Sequence, residues 1–207
     1  MTDRSLPIII LAAGSSSRMR GRDKLLEDVD GAPLLRQQAI KACAVTSGPV
    51  RIALPPAPHP RYTALSGLDV QMVGVTDADE GMNASLRTIF AALPKSASCA
   101  MVLLADLPDV TAADLERVAD AVDLNSDTQV WRGATQDAAP GHPIVFHASL
   151  FPYIAKLTGD SGGREVIAQA KGRVALIPLE GDRARRDLDT PEEWHTWREA
   201  RSKQHPQ

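Results

Sequence analysis

The chain has 207 residues, a formal net charge of −3 at pH 7 and a hydrophobic fraction of 43%, with 4% aromatic residues. This aliphatic content is enough for one α/β core. The acidic balance excludes a general basic field for nucleic acid, so any phosphate site must be local. No segment has the ~20 apolar residues of a membrane span. The two cysteines lack zinc spacing, and we expect a cytoplasmic protein.

Apolar runs typical of buried strands alternate with segments of helical periodicity. In chain order the patterns predict strand 7–13, helix 34–45, strands 50–54 and 70–75, helix 84–93, strand 99–105, helix 112–122 capped by Thr111, strands 144–146 and 174–178, and helix 191–201. This alternation predicts a three-layer α/β/α fold with a Rossmann-like, mostly parallel sheet. Residues 1–201 are expected to form a single domain and residues 202–207 a frayed tail.

The loop after the first strand carries small and cationic residues. It reads LAAGSSSRM at residues 11–19, and Lys24 follows shortly after. Gly14 and the serines let backbone N–H groups approach an anion, while Arg18 can fork onto phosphate oxygens. By itself such a loop is typical of a solvated turn, but its place after a buried strand favours a phosphate site. The P-loop and dinucleotide glycine patterns are both missing.

The run LAAGSSSRM…DKLLE resembles the signature of the molybdenum-cofactor nucleotidyltransferases, which include cytidylyltransferases and molybdopterin-guanine dinucleotide synthases. The resemblance implies transfer of a nucleoside monophosphate from a triphosphate to a phosphorylated acceptor. It implies that Arg18 grips the β- and γ-phosphates and that Lys24 neutralises charge on the α-phosphate. The implied nucleotide contacts in this loop are Leu11, Ala12, Ala13, Gly14, Ser15, Arg18 and Lys24. Arg20 stands where the family usually has glycine, and Gly21 follows it.

Two acidic segments suit a Mg²⁺ site. Asp106 follows the strand 99–105 in the family's L-x-D-x-P setting, and one carboxylate with phosphate oxygens and waters is typical Mg²⁺ ligation. A turn-forming aspartate is the ordinary alternative. Residues 187–191, DLDTP, match the family's D-x-D-T-P ending, although an acidic residue there is also an ordinary helix cap. The expected metal ligands are Asp106 and Asp189, with Asp187 an alternative, and the expected catalytic residues are Arg18, Lys24 and Asp106.

Three further segments resemble the family pattern, although each is also typical of an ordinary helix entry or glycine-rich turn. A G-M-x-x-S-L segment is expected against the nucleoside through Gly81, Met82 and Ser85. A G-x-P and a G-D-x-G-x-R segment are expected at the acceptor through Gly141, His142, Pro143, Asp160, Gly162, Gly163 and Arg164. His142 is not expected to be a general base, because a phosphate nucleophile is already ionised. Arg183, Arg185 and Arg186 form a basic cluster that is usually a solvated loop but could attract an anionic pterin phosphate.

The resemblance spans residues 11–191 and implies transfer of CMP from CTP to molybdopterin bearing molybdenum, with release of pyrophosphate. The choice of CTP rests on Ala13, because members that use GTP resemble L-A-G-G here. One methyl group supplies only about 1–3 kcal/mol of discrimination. Transfer of GMP from GTP, a cytidylyltransferase for a sugar or polyol phosphate, and a non-catalytic pterin carrier remain alternatives. A molybdenum hydroxylase or its chaperone is the implied partner.

Overall fold

The computed structural model describes residues 5–204, which are built around a seven-stranded sheet. The strands are β1 (Ile8–Leu11), β2 (Asp28–Val29), β3 (Ala32–Pro33), β4 (Val50–Leu54), β5 (Gln71–Gly74), β6 (Cys99–Leu104), β7 (Val130–Ala134), β8 (Pro140–His147) and β9 (Val174–Pro178). The large sheet has the order β5-β4-β1-β6-β8-β7-β9, and β2 pairs with β3 separately. Strand β8 is antiparallel to β6 and β7, and the other pairs of the large sheet are parallel.

Helices cover both faces of this sheet. They are α1 (Leu34–Val45), α2 (Pro60–Ala64), α3 (Met82–Ala91), α4 (Ala112–Asp120), α5 (Phe151–Ile154), α6 (Arg164–Gln169) and α7 (Pro191–Gln204). One core cluster joins the sheet to α1, α4 and α7, and the other joins it to α3, α5 and α6. The predicted three-layer, mostly parallel fold is therefore confirmed. Between residues 5 and 204, no helix is long and apolar enough to cross a membrane.

The bounds of some elements agree with the sequence patterns and others do not. Helix α1 and strands β4 and β9 have the predicted bounds, and Thr111 forms a capping box with Asp114 at α4. The strand predicted at 144–146 is longer and antiparallel, and β7, α5 and α6 were not predicted. Helix α7 continues through Gln204, and the rest of the expected tail, residues 205–207, lies outside the described part.

The carboxyl ends of the central strands bring distant segments together. Strands β1 and β6 are parallel neighbours, with Leu11 opposite Leu104, so the first loop and Asp106 emerge side by side. The backbone N–H of Leu188 donates to the Asp106 carbonyl oxygen at 3.3 Å, which brings the C-terminal acidic segment to the same place. This edge is where α/β sheets of this type bind ligands.

Candidate active site

The first loop, residues 12–26, turns sharply after β1. Ser16 has a left-handed conformation with φ of 53°, and Arg20 also has φ of 53°. Glycine adopts this region freely, so the backbone explains why glycine is usual at the position that Arg20 holds here. Gly21, with φ of 86°, continues the turn. The chain thus accommodates its departure from the family pattern with Arg20 itself in the left-handed region.

A buried arginine that the sequence analysis missed braces this loop. Arg61 of α2 is 1% exposed, and its guanidinium pairs with Asp23 at two points, Nε to Oδ2 at 2.7 Å and Nη2 to Oδ1 at 2.8 Å. Its Nη1 donates to the Ala12 carbonyl oxygen at 2.6 Å, and Nη2 donates to Ser16 Oγ at 3.1 Å. Ser16 Oγ also accepts the Lys24 backbone N–H at 3.3 Å. Arg61 therefore fixes the start of the loop relative to the segment that carries Lys24.

The buried pair also sets the charge of Asp23. Burial by itself would raise the pKa of Asp23, but the hydrogen bonds and positive charge of Arg61 lower it below the ordinary value. No local pattern marks Arg61, because its partners lie 38 to 49 residues away in the sequence. Pro60 begins α2, the short helix that carries Arg61.

Three carboxylates meet beyond the carboxyl end of β6. One oxygen from each of Asp106, Asp187 and Asp189 lies within 4.8 Å of the others. Lys24 Nζ donates to Asp106 Oδ2 at 2.5 Å and to Asp189 Oδ1 at 2.7 Å. Arg18 Nη2 lies 2.6 Å from Asp189 Oδ2. The structure therefore brings the three residues expected to be catalytic together with both candidates for the second metal ligand.

The close charges shift the pKa values within this cluster. Burial would lower the pKa of Lys24, but the negative charges of Asp106 and Asp189 raise it, so Lys24 stays cationic. Burial would raise the pKa of Asp189, but hydrogen bonding and charge from Lys24 lower it. The pKa of Asp187 is raised by burial and by the neighbouring carboxylates. Two cations thus partly balance three acidic groups.

The cluster has the donor atoms that a hard divalent cation requires. Carboxylate oxygens are the preferred protein ligands of Mg²⁺ and similar ions. Asp106 Oδ1 is buried and has no hydrogen-bond partner among the described residues, which leaves it free to accept an ion. The Lys24 ammonium bridges Asp106 and Asp189 and supplies part of the positive charge that this cluster needs. The residues therefore fit a divalent cation.

The start of α3 is held by an aspartate from the loop before α6. Gly81 has φ of 107°, and an added Cβ would lie 2.5 Å from Asp160 Oδ1, so a larger residue does not fit there. Asp160 Oδ1 accepts the backbone N–H of Met82 at 2.6 Å. Because a carboxylate already caps this helix, its N-terminus is a poor place for a phosphate.

A buried asparagine joins the same two segments. Asn83 is fully buried; its Nδ2 donates to the Thr158 carbonyl oxygen at 2.7 Å, and its Oδ1 accepts the Gly163 N–H at 3.2 Å. The exposed Arg164 donates from Nε to the Ser161 carbonyl oxygen. The Gly163 N–H is therefore already used inside the protein, and acceptor contact by Gly162, Gly163 and Arg164 stays a prediction.

Gly141, His142 and Pro143 lie within β8 rather than in a loop before it. The His142 N–H donates to the Ala184 carbonyl oxygen at 2.8 Å, and Gly141 lies so close to Ala184 that a side chain would collide with it. Burial and then the positive charge of Arg132 lower the pKa of His142 to about 4. The imidazole is therefore neutral near pH 7, and its Nδ1 is buried without a hydrogen-bond partner in the described chain.

A cavity of about 540 Å³ lies between the first loop, the acidic cluster and α3. Its lining includes the residues expected to bind the nucleotide, namely Leu11, Ala12, Ala13, Gly14, Ser15, Arg18, Lys24, Gly81, Met82 and Ser85, and also Asp106, Asp160, Asp187 and Asp189. The other expected acceptor residues are not part of the lining. A second cavity of about 510 Å³ lies on the other side of the first loop and is bordered by Pro55, His59, Arg61 and Thr76.

The sequence matches a family model described as a MobA-like NTP transferase domain over residues 8–174. The chain belongs to this family. As a MobA-like NTP transferase, it is a nucleotidyltransferase. One relative is the purine catabolism protein PucB of Bacillus subtilis (strain 168), which is 28% identical over 128 residues. That match covers 61% of this chain, and the chain spans only 60% of the length of PucB.

Solved structures share the architecture of this MobA-like chain. Rv0371c of Mycobacterium tuberculosis H37Rv superposes with a TM-score of 0.81 at 26% identity, covering 95% of this chain and 98% of that one. A structure of Rv0371c in complex with manganese has a TM-score of 0.77 at 24% identity, covering 95% and 99%. A CMP:2-keto-3-deoxy-manno-octonic acid synthetase complexed with CTP has a TM-score of 0.71 at 13% identity, covering 98% and 100%, and shares the fold alone.

Proposed function

We propose that this MobA-like nucleotidyltransferase transfers CMP from CTP to molybdopterin bearing molybdenum and releases pyrophosphate. The observation that carries the proposal is the position of Lys24, between Asp106 and Asp189 and beside the first loop. A lysine, an arginine and candidate metal ligands therefore line one cavity of about 540 Å³. Gly81, Met82 and Ser85 form part of the rest of the lining, where the nucleoside would lie.

The reaction requires an in-line displacement at the α-phosphorus. A terminal phosphate oxygen of the acceptor forms the new bond to this phosphorus, and the bond to the bridging oxygen breaks as pyrophosphate leaves. The attacking oxygen is already anionic, so no base is needed. Lys24 stabilises the charge that develops on the α-phosphate, and Arg18, whose side chain is 68% exposed, would exchange its pairing with Asp189 for the leaving phosphates. Catalysis is then positioning together with electrostatics.

We propose Mg²⁺ as the physiological metal, held by Asp106 and by Asp189 or Asp187. When bound, this ion neutralises part of the triphosphate charge and orients the phosphates. The unpartnered Asp106 Oδ1 supports this assignment, and the manganese complex of Rv0371c is consistent with a divalent ion.

The choice of CTP over GTP rests on Ala13. Ala13 is 7% exposed and belongs to the core cluster on the α3 side of the sheet, and it is also among the lining residues of both cavities. Crowding by one methyl group disfavours the larger purine by about 1–3 kcal/mol. Transfer of GMP to the same pterin is the competing assignment. The proposal also includes a cytoplasmic, single-domain enzyme that serves a molybdenum hydroxylase or its chaperone.

Calorimetric titration with CTP and with GTP, each with and without Mg²⁺, tests the nucleotide assignment without the unstable pterin. We expect Mg²⁺-dependent binding that favours CTP. A preference for GTP would refute the argument from Ala13 while leaving the enzyme class intact.

Pyrophosphate release with the pterin acceptor tests the chemistry. We expect Lys24→Ala and Asp106→Ala to lose at least a hundredfold in kcat, a loss of about 2.7 kcal/mol in transition-state stabilisation. The exposed Lys95→Ala is the charge-matched control for the lysine variant and should retain full turnover. Near-wild-type turnover in Lys24→Ala or Asp106→Ala would refute the mechanism.

A further inference from the structure

In the part of the chain that the structure describes, two arginines near β8 have no acidic partner. Among residues 5–204, neither Arg132 nor Arg185 has a carboxylate oxygen within 4.0 Å, whereas the two other arginines of the same basic cluster are paired. Arg183 pairs with Glu180 at 3.0 Å, and Arg186 pairs with Asp182 and with Asp109. Arg185 thus differs from Arg183 and Arg186 in lacking a carboxylate partner among the described residues, a property that it shares with Arg132.

Backbone contacts join the strand to which Arg132 bonds with the segment that carries Arg185. Arg132 of β7 is half-buried, and its Nε and Nη2 both donate to the Gly141 carbonyl oxygen, at 3.2 and 3.1 Å. Gly141 is in direct contact with Ala184, and the Ala184 carbonyl oxygen accepts the His142 N–H at 2.8 Å. Arg185 directly follows Ala184, so the loop that carries it is fixed against the strand that Arg132 grips.

The guanidinium of Arg132 keeps unused donors. Both of its bonds go to one carbonyl oxygen, and no described residue accepts from Nη1. Burial and then the positive charge of Arg185 lower the pKa of Arg132, which places the two cations within electrostatic range of each other. Like charges held together without a counterion are unfavourable unless an anion joins them. A phosphate with two negative charges matches both the charge and the forked donors.

The pair lies toward the β7 side of the sheet from the acidic cluster. In the sheet order β6-β8-β7, strand β7 is two positions from β6, the strand that Asp106 follows, about 10 Å at the usual strand spacing. Arg132 bonds to β8, which lies between these two strands. Arg185 precedes Asp187 by two residues in the same segment. An anion between the arginines would therefore lie on the β7 side of the carboxylates, and neither arginine is part of the nucleotide lining.

We infer that Arg132 and Arg185 form the subsite that binds the phosphomonoester of the acceptor and positions it for attack. This inference rests on the proposed function for the identity of the acceptor, but the phosphomonoester chemistry follows from the two arginines. Gly141 contributes by holding the Arg132 fork, and the neutral His142 lies beside it. The sequence analysis offered three clustered arginines as candidates for binding the acceptor phosphate. The inferred subsite keeps only Arg185 from that cluster and adds Arg132 from a distant strand.

Direct binding of phenyl phosphate, measured by titration of the full chain labelled with ¹⁵N-arginine, tests the subsite without catalysis. We expect the Arg132 Nε signal to shift on binding. Arg185→Ala and Arg132→Gln should each raise the dissociation constant for phenyl phosphate at least fivefold. Arg183→Ala, which removes the same charge from the same loop, should change it less than twofold. Equal weakening by all three variants, or no weakening by Arg185→Ala, would overturn the inference. Arg185 is exposed, so its variant remains informative if Arg132→Gln fails to fold.

Two further measurements show whether the bound phosphate belongs to the acceptor or to the triphosphate, and whether the proposed function can fail while the subsite stands. If the subsite takes the acceptor, Arg185→Ala raises the KM for the pterin at least fivefold and leaves the KM for CTP and inhibition by pyrophosphate unchanged. A rise in the KM for CTP instead would assign the arginines to the triphosphate and refute the inference. If neither CTP nor GTP binds, but binding of phenyl phosphate still requires both arginines, then the proposed function fails and the subsite stands.

Discussion

Replacement of Arg61 by methionine tests whether the phosphate loop depends on a buried ion pair. The change leaves the Asp23 carboxylate, which is 19% exposed, without its two-point partner, and it leaves the Ala12 carbonyl oxygen without its donor. Loss of one partner from a buried pair lowers the free energy of unfolding by about 3–5 kcal/mol. For a chain of this length, each kcal/mol lowers Tm by about 2–4 °C, so we expect a fall of roughly 6–20 °C.

Thermal and urea unfolding measure this loss, and a double variant separates its causes. In Arg61→Met with Asp23→Leu the uncompensated charge is gone, and we expect most of the stability to return. The loop would still lack the bonds to Ala12 and Ser16, so the affinity for CTP should stay low. Arg117→Met, which removes an exposed arginine with one backbone bond, should change stability by less than about 0.5 kcal/mol. A Tm within 2 °C of wild type for Arg61→Met, or full nucleotide affinity in the double variant, would refute the reasoning.

Other substitutions test single features of the site. An added Cβ at Gly14 meets no protein atom within 4 Å, so Gly14→Ala should keep or slightly raise stability by up to about 1 kcal/mol, while calorimetry should show at least tenfold weaker CTP binding. Arg20→Gly removes left-handed strain but adds unfolded-chain entropy, so its unfolding free energy should stay within about 1 kcal/mol of wild type, whereas Arg20→Val should lose more. The pKa of His142, about 4, lies below its ordinary value, so the unfolded chain takes up the proton first and stability is lost as pH falls from about 6.5 toward 4. From pH 7.5 to 5 this contribution is about 2 kcal/mol, and urea unfolding of His142→Phe should lack that part of the decline.

The sequence could predict elements whose periodicity is uninterrupted. Helix α1 and strand β4 have regular apolar spacing, and the structure gives them the predicted bounds. Strand β7 has Arg132 and Gly133 in its centre, which breaks the apolar run that identifies a buried strand. The direction of β8 could not be read either, because antiparallel pairing to β6 depends on the path of the intervening chain rather than on residue type.

The candidate site was predictable where function and local pattern coincide. Lys24 and Asp106 follow strands in recognisable motifs, and parallel pairing of β1 with β6 brings them together. Arg61 and Asn83 were missed because their roles consist of bonds to distant backbone groups, which no local motif records. Arg132 was missed for a related reason. Its lack of a carboxylate partner among the described residues is visible only in the structure.

The two halves of the site differ in how their charges are balanced. In the nucleotide half, Lys24 and Arg18 are already paired with carboxylates, so a metal and a triphosphate would exchange these partners rather than bring charge into an apolar space. At the inferred subsite, Arg132 and Arg185 have no carboxylate to exchange among residues 5–204. Without these arginines, a doubly charged phosphate that approached Asp106 and Asp187 would be repelled. The cluster has three acidic groups, and two cations balance them only in part. Under the inferred subsite, the unpaired arginines offset that repulsion before attack, in a chain whose net charge is −3.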